Sequence, residues 1–170
     1  MRNLTFAFFF FLTLNPGLVQ AQKITWTTTE DNGHNCSIHF PGVPSNTHKN
    51  TSEGMKYTSY VIYGQSTYIY KVIELNAEPK DKEAKAKKRI QSLASKFKGK
   101  VTEEEEWLVG TKKGISSRIK IAETGKPEML MIIKVMVVGS IQYEVSAMMP
   151  LELYDPEFDD YFLNSFKFLQ

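Results

Sequence analysis

The chain has 170 residues, 42% of them hydrophobic and 24% charged, with a formal net charge of +2 and a single cysteine. That length suits one domain with a sizeable core. The near-neutral balance argues against a general polyanion or nucleic-acid binder. The lone Cys36 excludes an internal disulfide, so the fold must stand on its apolar core.

Arg2 precedes an apolar run over residues 6–14, interrupted only by Thr13. Asn15, Pro16 and Gly17 then break any helix, and Val19-Gln20-Ala21 offers small or modest residues before a cut. This is the pattern of a signal peptide over residues 1–21, cleaved after Ala21. The run is about half the ~20 apolar residues that a membrane helix needs. Cys36 lacks the apolar residues that precede a lipidated cysteine. The expectation is an exported protein, periplasmic or secreted, with no membrane span and with residues 22–170 as one domain.

Residues 24–29 are β-branched and aromatic, as a first strand requires. Asp31-Asn32-Gly33 signals a turn, residues 36–40 a second strand, and Pro41, Gly42 and Pro44 its end. Residues 45–54 are polar and read as a loop. Residues 57–63 and 67–75 form a hairpin around Gly64-Gln65. Ala86, Ile90, Leu93, Ala94 and Phe97 then recur on one helical stripe, predicting a helix over residues 81–98 with Asp81 at its N-terminus and Gly99 as its C′ stop. Alternation returns at Ile115, Ser117, Ile119 and Ile121, and again at Ile141, Tyr143, Val145 and Ala147. In the latter segment Gln142, Glu144 and Ser146 lie on the wetter face. The apolar run 129–138, with Lys134 inside it, reads as a central strand. A last helix opens at Asp155-Pro156 and stacks Phe158, Phe162 and Phe166. The fold class is α+β: an antiparallel β-sheet of about seven strands flanked by an internal amphipathic helix and a C-terminal helix.

Several segments together resemble a known family. A Trp-containing first strand leads to Cys36-Ser37-Ile38-His39-Phe40-Pro41-Gly42-Val43-Pro44. A Lys-rich helix follows a pair of strands, Gly114 opens a strand, and Tyr143 lies in the last strand of the meander. The chain closes with Tyr161-Phe162-Leu163-Asn164-Ser165-Phe166. This ordering is similar to the small secreted bacterial domains with a PsbP-like fold, over most of residues 24–168. The resemblance implies an antiparallel sheet between helices and a binding or assembly role rather than catalysis. Its motifs are turns and packing residues, so it carries over no site, and fold alone does not set function.

His34, Cys36 and His39 form the sharpest chemical constellation, a ligand set suited to copper or zinc. In a strand, His34 and Cys36 share a face and His39 points away, which favours a surface His pair beside a buried thiol. Met129, Met131, Met136, Met148 and Met149 suit core filling better than copper handling. Residues 80–100 hold nine Lys or Arg and two acids, a solvated helix face that also suits an acidic partner or anionic headgroups. Glu103 to Glu106 and Asp159-Asp160 are expected to face water. Trp26, Tyr57, Tyr60, Tyr63, Tyr68 and Tyr70 fit either half-buried packing or a recognition surface. No P-loop, dinucleotide, zinc-protease or nucleophile-elbow motif occurs. The expectation is an exported non-catalytic binding or assembly module of the cell envelope, without cofactor, catalytic residue or assigned metal ligand. Its partner is a protein or an anionic envelope component. The alternative is a small-ligand or metal-handling protein that uses His34, Cys36 and His39.

Overall fold

The computed structural model describes residues 24–169. The leader expected over residues 1–21 lies outside them. Ten strands and two α-helices follow in the order β1 (Thr27–Asp31), β2 (Cys36–Phe40), β3 (Ser45–Thr51), β4 (Gly54–Tyr63), β5 (Ser66–Leu75), α1 (Lys82–Lys96), β6 (Lys100–Val109), β7 (Lys112–Ile121), β8 (Met129–Val138), β9 (Ile141–Pro150), α2 (Pro156–Asn164) and β10 (Lys167–Phe168). A 3-10 turn, Leu151–Leu153, links β9 to α2. The antiparallel seven-stranded sheet runs β3-β4-β5-β9-β8-β7-β6, and a small second sheet runs β1-β2-β10. The expected α+β architecture is therefore present, with a second sheet in addition.

Period-two alternation divides the apolar residues of the large sheet between two cores. Tyr68, Tyr70, Val72, Tyr143, Val145, Ala147, Leu130, Ile132 and Met136 point to one side, where they meet Cys36, Ile38 and Phe40 of β2, Phe162 and Leu163 of α2, and Phe166. Ile115, Ile119, Met131, Ile133 and Val135 point to the other side, where they meet Ala86, Ile90, Leu93 and Ala94 of α1. The helical stripe read from the sequence is thus the buried face of α1. That helix lies over β6, β7 and β8. It leaves most of the β3–β5 half of the same sheet face half-buried or exposed, with Ile73 buried where β5 meets β9.

Both helices start as expected. Asp81 accepts from Ala84 N at 2.8 Å, and Asp155 accepts from the amides of Glu157 and Phe158, with Pro156 in the first turn. The end of α1 differs from the expectation. Lys98, not Gly99, takes the left-handed conformation (φ 52°). Its amide donates to Ser95 O, and Gly99 N donates to Ala94 O at 2.8 Å, the double bond of a Schellman end. Gly99 is small for another reason: a Cβ there would meet Ile119 Cγ2 at 2.6 Å.

Residues 45–54 are not a loop. Ser45–Thr51 is an edge strand in register with β4, so polar side chains on both faces conceal it from a pattern search. The first strand begins later than expected, at Thr27, leaving Trp26 to pack on Phe158 and Tyr161. Phe166 lies beyond α2, yet it stacks with Trp107, Tyr70 and Tyr143. Asp159 does not face water: it is 1% exposed, accepts from Tyr68 Oη at 2.6 Å, and accepts from Asp155 N at 2.8 Å. The last helix lies flat on the core, and these two donors compensate the carboxylate that this turns inward. Burial nevertheless pushes the Asp159 carboxyl above the usual carboxylate range.

Candidate functional site

Two polar clusters sit at the large sheet. One is built on the sequence-predicted residues. His34 lies in the turn before β2 and is buried, not a surface residue, because that turn folds over the end of β4 and β5. Its Nδ1 is 2.8 Å from Asp31 Oδ2, its Nε2 is 3.1 Å from Glu74 Oε1, and its ring leans on Tyr57 at 5.0 Å. Cys36 Sγ lies 2.8 Å from Tyr70 Oη, which donates to Asp31 Oδ2 at 3.3 Å. Burial pushes the Cys36 thiol up to about 11, so at neutral pH it is a protonated packing group. His39 points elsewhere, with Nδ1 3.0 Å from Tyr161 Oη. His34 and Cys36 thus share one hydrogen-bond network, and His39 stays outside it. Each nitrogen of the His34 ring faces a carboxylate, so a metal there would have to displace one of those contacts. Among the described residues, no three His, Cys, Asp or Glu side chains converge to hold a metal ion.

The tyrosines divide in the same way. Tyr57, Tyr63, Tyr68 and Tyr70 pack in or against the core between the sheets, joined by Trp26. Tyr60, one residue out of phase with Tyr57, Tyr63 and Val61, lies on the opposite face of β4.

That opposite face carries the second cluster. Glu144 of β9 was expected on a wetter face. It is 2% exposed and its neighbour Gln142 1%, and Arg89 of α1 reaches over the carboxylate. Arg89 of α1 clamps the carboxylate with Nε at 2.7 Å and Nη2 at 3.0 Å. Lys71, directly opposite Glu144 in the β5–β9 register, donates at 3.0 Å, and Gln142 Nε2 donates at 2.6 Å. Burial raises the Glu144 carboxyl, and the Lys71 and Arg89 cations outweigh it, so the group stays below the usual carboxylate range.

The cations around Glu144 exceed it in number. Lys56 of β4 opposes Ile73, which sets it diagonal to Lys71 on the same face. Burial, then the nearby Lys71 and Arg89, pull the Lys56 ammonium below its ordinary value. The register also sets Lys49 of β3 directly opposite Lys56, a like-charge pair that costs stability in an antiparallel ladder. Lys85 of α1 is already held by Glu53 at 3.0 Å. Lys56, Lys71 and Arg89 less Glu144 leave two positive charges beside the open half-face. Thr58, opposite Lys71, and Tyr60 lie farther along it. Sequence reading assigned Arg89 to a general basic helix and did not single out Lys56, Lys71 or Glu144. The available signal was a charge at the middle of each of two long central strands, at positions where alternation places side chains over the sheet.

A groove of about 570 Å³ lies on the other flank of α1. Ala86, Ile115 and Val137 form its floor, and Lys87–Glu104 and Lys113–Glu106 ion pairs form its rims. There Glu104 and Glu106 are matched by cations.

The solution structure of cyanobacterial PsbP (CyanoP) from Synechocystis sp. PCC 6803 matches this chain with a TM-score of 0.59 at 8% identity, over 88% of this chain and 95% of that one. The fold is PsbP-like. A crystal structure from Bacteroides thetaiotaomicron VPI-5482 is 14% identical with a TM-score of 0.49 over 84% of this chain, which spans about half (48%) of that protein. No family model and no curated protein matches the sequence. At such identity the PsbP-like likeness concerns the backbone, so any site must be argued from this chain's own residues. Among the described residues no helix is long and apolar enough to cross a membrane.

Proposed function

We propose that the chain is an exported, non-catalytic binding module of the cell envelope, and that it holds an anionic partner on the open β3–β5 half of its large sheet. The observation that carries this reading is the surplus of cations there: Lys49 and Lys56 face one another without a carboxylate between them, beside Lys71 and Arg89 around one buried Glu144. The Lys49–Lys56 pair costs stability in the ladder, and an anion laid across it offsets the repulsion. The buried titratable groups on the other side of the sheet support the same reading. Cys36, His34, Asp31 and Tyr70 bond to one another, and the protonated thiol is a poor nucleophile.

The test is a photo-cross-linking residue placed at Thr58 in cells that express the full chain. Capture is expected at Thr58 and is lost when Lys49 and Lys56 are both changed to Glu. Capture that survives the double charge reversal overturns the assignment of this face. Mass spectrometry of the exported protein tests the compartment: its N-terminus is expected at Gln22, and a chain retained with Met1 in the cytoplasm contradicts export.

A further inference from the structure

We propose that Lys56, Lys71 and Arg89, gathered around Glu144 beside the open half of the sheet, seat a phosphomonoester dianion. This rests on the binding reading above and specifies its ligand. Glu144 fixes two of the three cations. It takes one ammonium hydrogen bond from Lys71 and two from the guanidinium of Arg89, one of each to Oε2 and the second Arg89 bond to Oε1. Those bonds leave donors free on both side chains, and Lys56 has none of its donors engaged among the described residues. The side chains of Lys71 and Arg89 are 16% and 21% exposed, so both are anchored on a buried carboxylate without being sealed from solvent. Three anchored or crowded cations thus offer unused N–H groups, with a surplus charge of two.

A phosphomonoester suits this surplus better than a carboxylate or a phosphodiester. It carries about −1.5 to −2 charges at pH 7 and three strong acceptor oxygens, one for each cation. A carboxylate or a diester brings a single charge and leaves one cation uncompensated. The guanidinium fork that would pair with a carboxylate is already on Glu144. The other charged groups around the seat are Glu53, matched by Lys85 of α1, and Lys49 at the rim on β3. Lys49 extends the positive field outward, so a phosphate attached to a larger body has room toward the edge strand. The register places Thr58 across from Lys71 as a hydroxyl on the same face.

The test is calorimetric titration at constant ionic strength of the protein purified from cells that express the full chain. Inorganic phosphate, glycerol phosphate and acetate are the soluble probes. Phosphate and glycerol phosphate are expected to bind and acetate to bind at least about tenfold more weakly, the worth of one lost charge-assisted bond. Affinity for glycerol phosphate rises from pH 5 to pH 7.5 as the dianion forms, since the second pKa of a phosphomonoester is about 6. Lys56→Gln weakens phosphate binding about tenfold or more, and Lys56→Arg keeps it within about threefold. Lys56 is used because removing Lys71 or Arg89 strands Glu144 and endangers the fold.

Vesicles distinguish the source of the phosphate. Binding to phosphatidic acid over phosphatidylglycerol supports the seat with a lipid headgroup as ligand. Binding of the soluble esters alone supports it with a soluble or sugar-borne phosphate. No phosphate binding, equal affinity at the two pH values, or no loss in Lys56→Gln overturns the seat. If poly-glutamate then binds in a manner that depends on Lys49 and Lys56, only the phosphate assignment falls. If no anion binds, the broader reading falls with it.

Discussion

The His34 network and the Glu144 cluster have similar ingredients: a buried ionisable centre, oppositely charged neighbours and a position against the same sheet. They differ in what is left over. Around His34, Asp31 and Glu74 face the two ring nitrogens, and Tyr70 joins Asp31 to Cys36. Around Glu144, each carboxylate oxygen has two donors, yet Lys56 and the remaining Lys71 and Arg89 donors lack partners. A network that closes on itself stabilises, and one that closes on its anion but leaves cations facing outward can bind. His34 and Cys36, which look most chemical in the sequence, are therefore tied by hydrogen bonds to their own neighbours in the fold.

The largest expected effect comes from breaking the centre of the open cluster. Glu144→Gln leaves the half-buried Lys71 and Arg89 against a neutral amide and should cost about 3 kcal/mol, read by denaturant unfolding. The sign with pH follows from the lowered carboxyl. Its contribution is fully present above the ordinary unfolded-state value and is lost as pH falls through the lower folded one. Wild type should therefore lose stability on acidification below about pH 4.5, and Glu144→Gln should lose less over that range. An unchanged acid slope would contradict the ion-pair geometry.

The closed network predicts a smaller effect with no functional readout. His34→Ala should cost about 2 kcal/mol, from two lost hydrogen bonds and a buried void, and should leave anion binding unaltered. Reduced anion binding in a folded His34→Ala protein would show that the two clusters are coupled. The thiol provides a further check. With Cys36 pushed to about 11 from 9.0, its thiolate population at pH 8 is about a hundredfold below that of an ordinary cysteine. Alkylation should proceed only after denaturation, and fast labelling of the native protein would refute the buried placement.

The sequence made the closed side of the molecule more legible than the open side. Period-two alternation marked β7 and β9, a continuous apolar run marked β8, the hairpin signal at Gly64-Gln65 marked β4 and β5, and the stripe from Ala86 to Phe97 marked α1, because burial imposes the pattern it is read by. The edge strand β3 faces water on nearly every residue, so nothing in its composition distinguishes it from a loop. Asp159 was read as solvated because it flanks the aromatic stripe of the last helix, and its burial against Tyr68, 91 residues earlier, reverses that. Lys71, Arg89 and Glu144 are separated by 18 and 55 residues, and only the β5–β9 register and the placement of α1 join them. A site assembled by tertiary packing has no local signature.

The smallest effect on stability separates the two clusters most sharply. Lys56→Gln removes a charge opposed by Lys49 and crowded by Lys71 and Arg89. Its stability should be equal to wild type or higher by up to about 0.5 kcal/mol. A residue kept for packing would lose stability when changed.

The most direct measurement is therefore the melting temperature of wild type and Lys56→Gln as inorganic phosphate replaces chloride at constant ionic strength and pH 7.5. A ligand that binds only the native state raises the melting temperature with its concentration. The predicted result is a variant that melts at or above wild type without phosphate, and a phosphate-dependent rise in wild type that is largely lost in the variant. Equal rises in the two proteins, or a variant that melts lower at the outset, would contradict the claim that this cluster is held open for an anion.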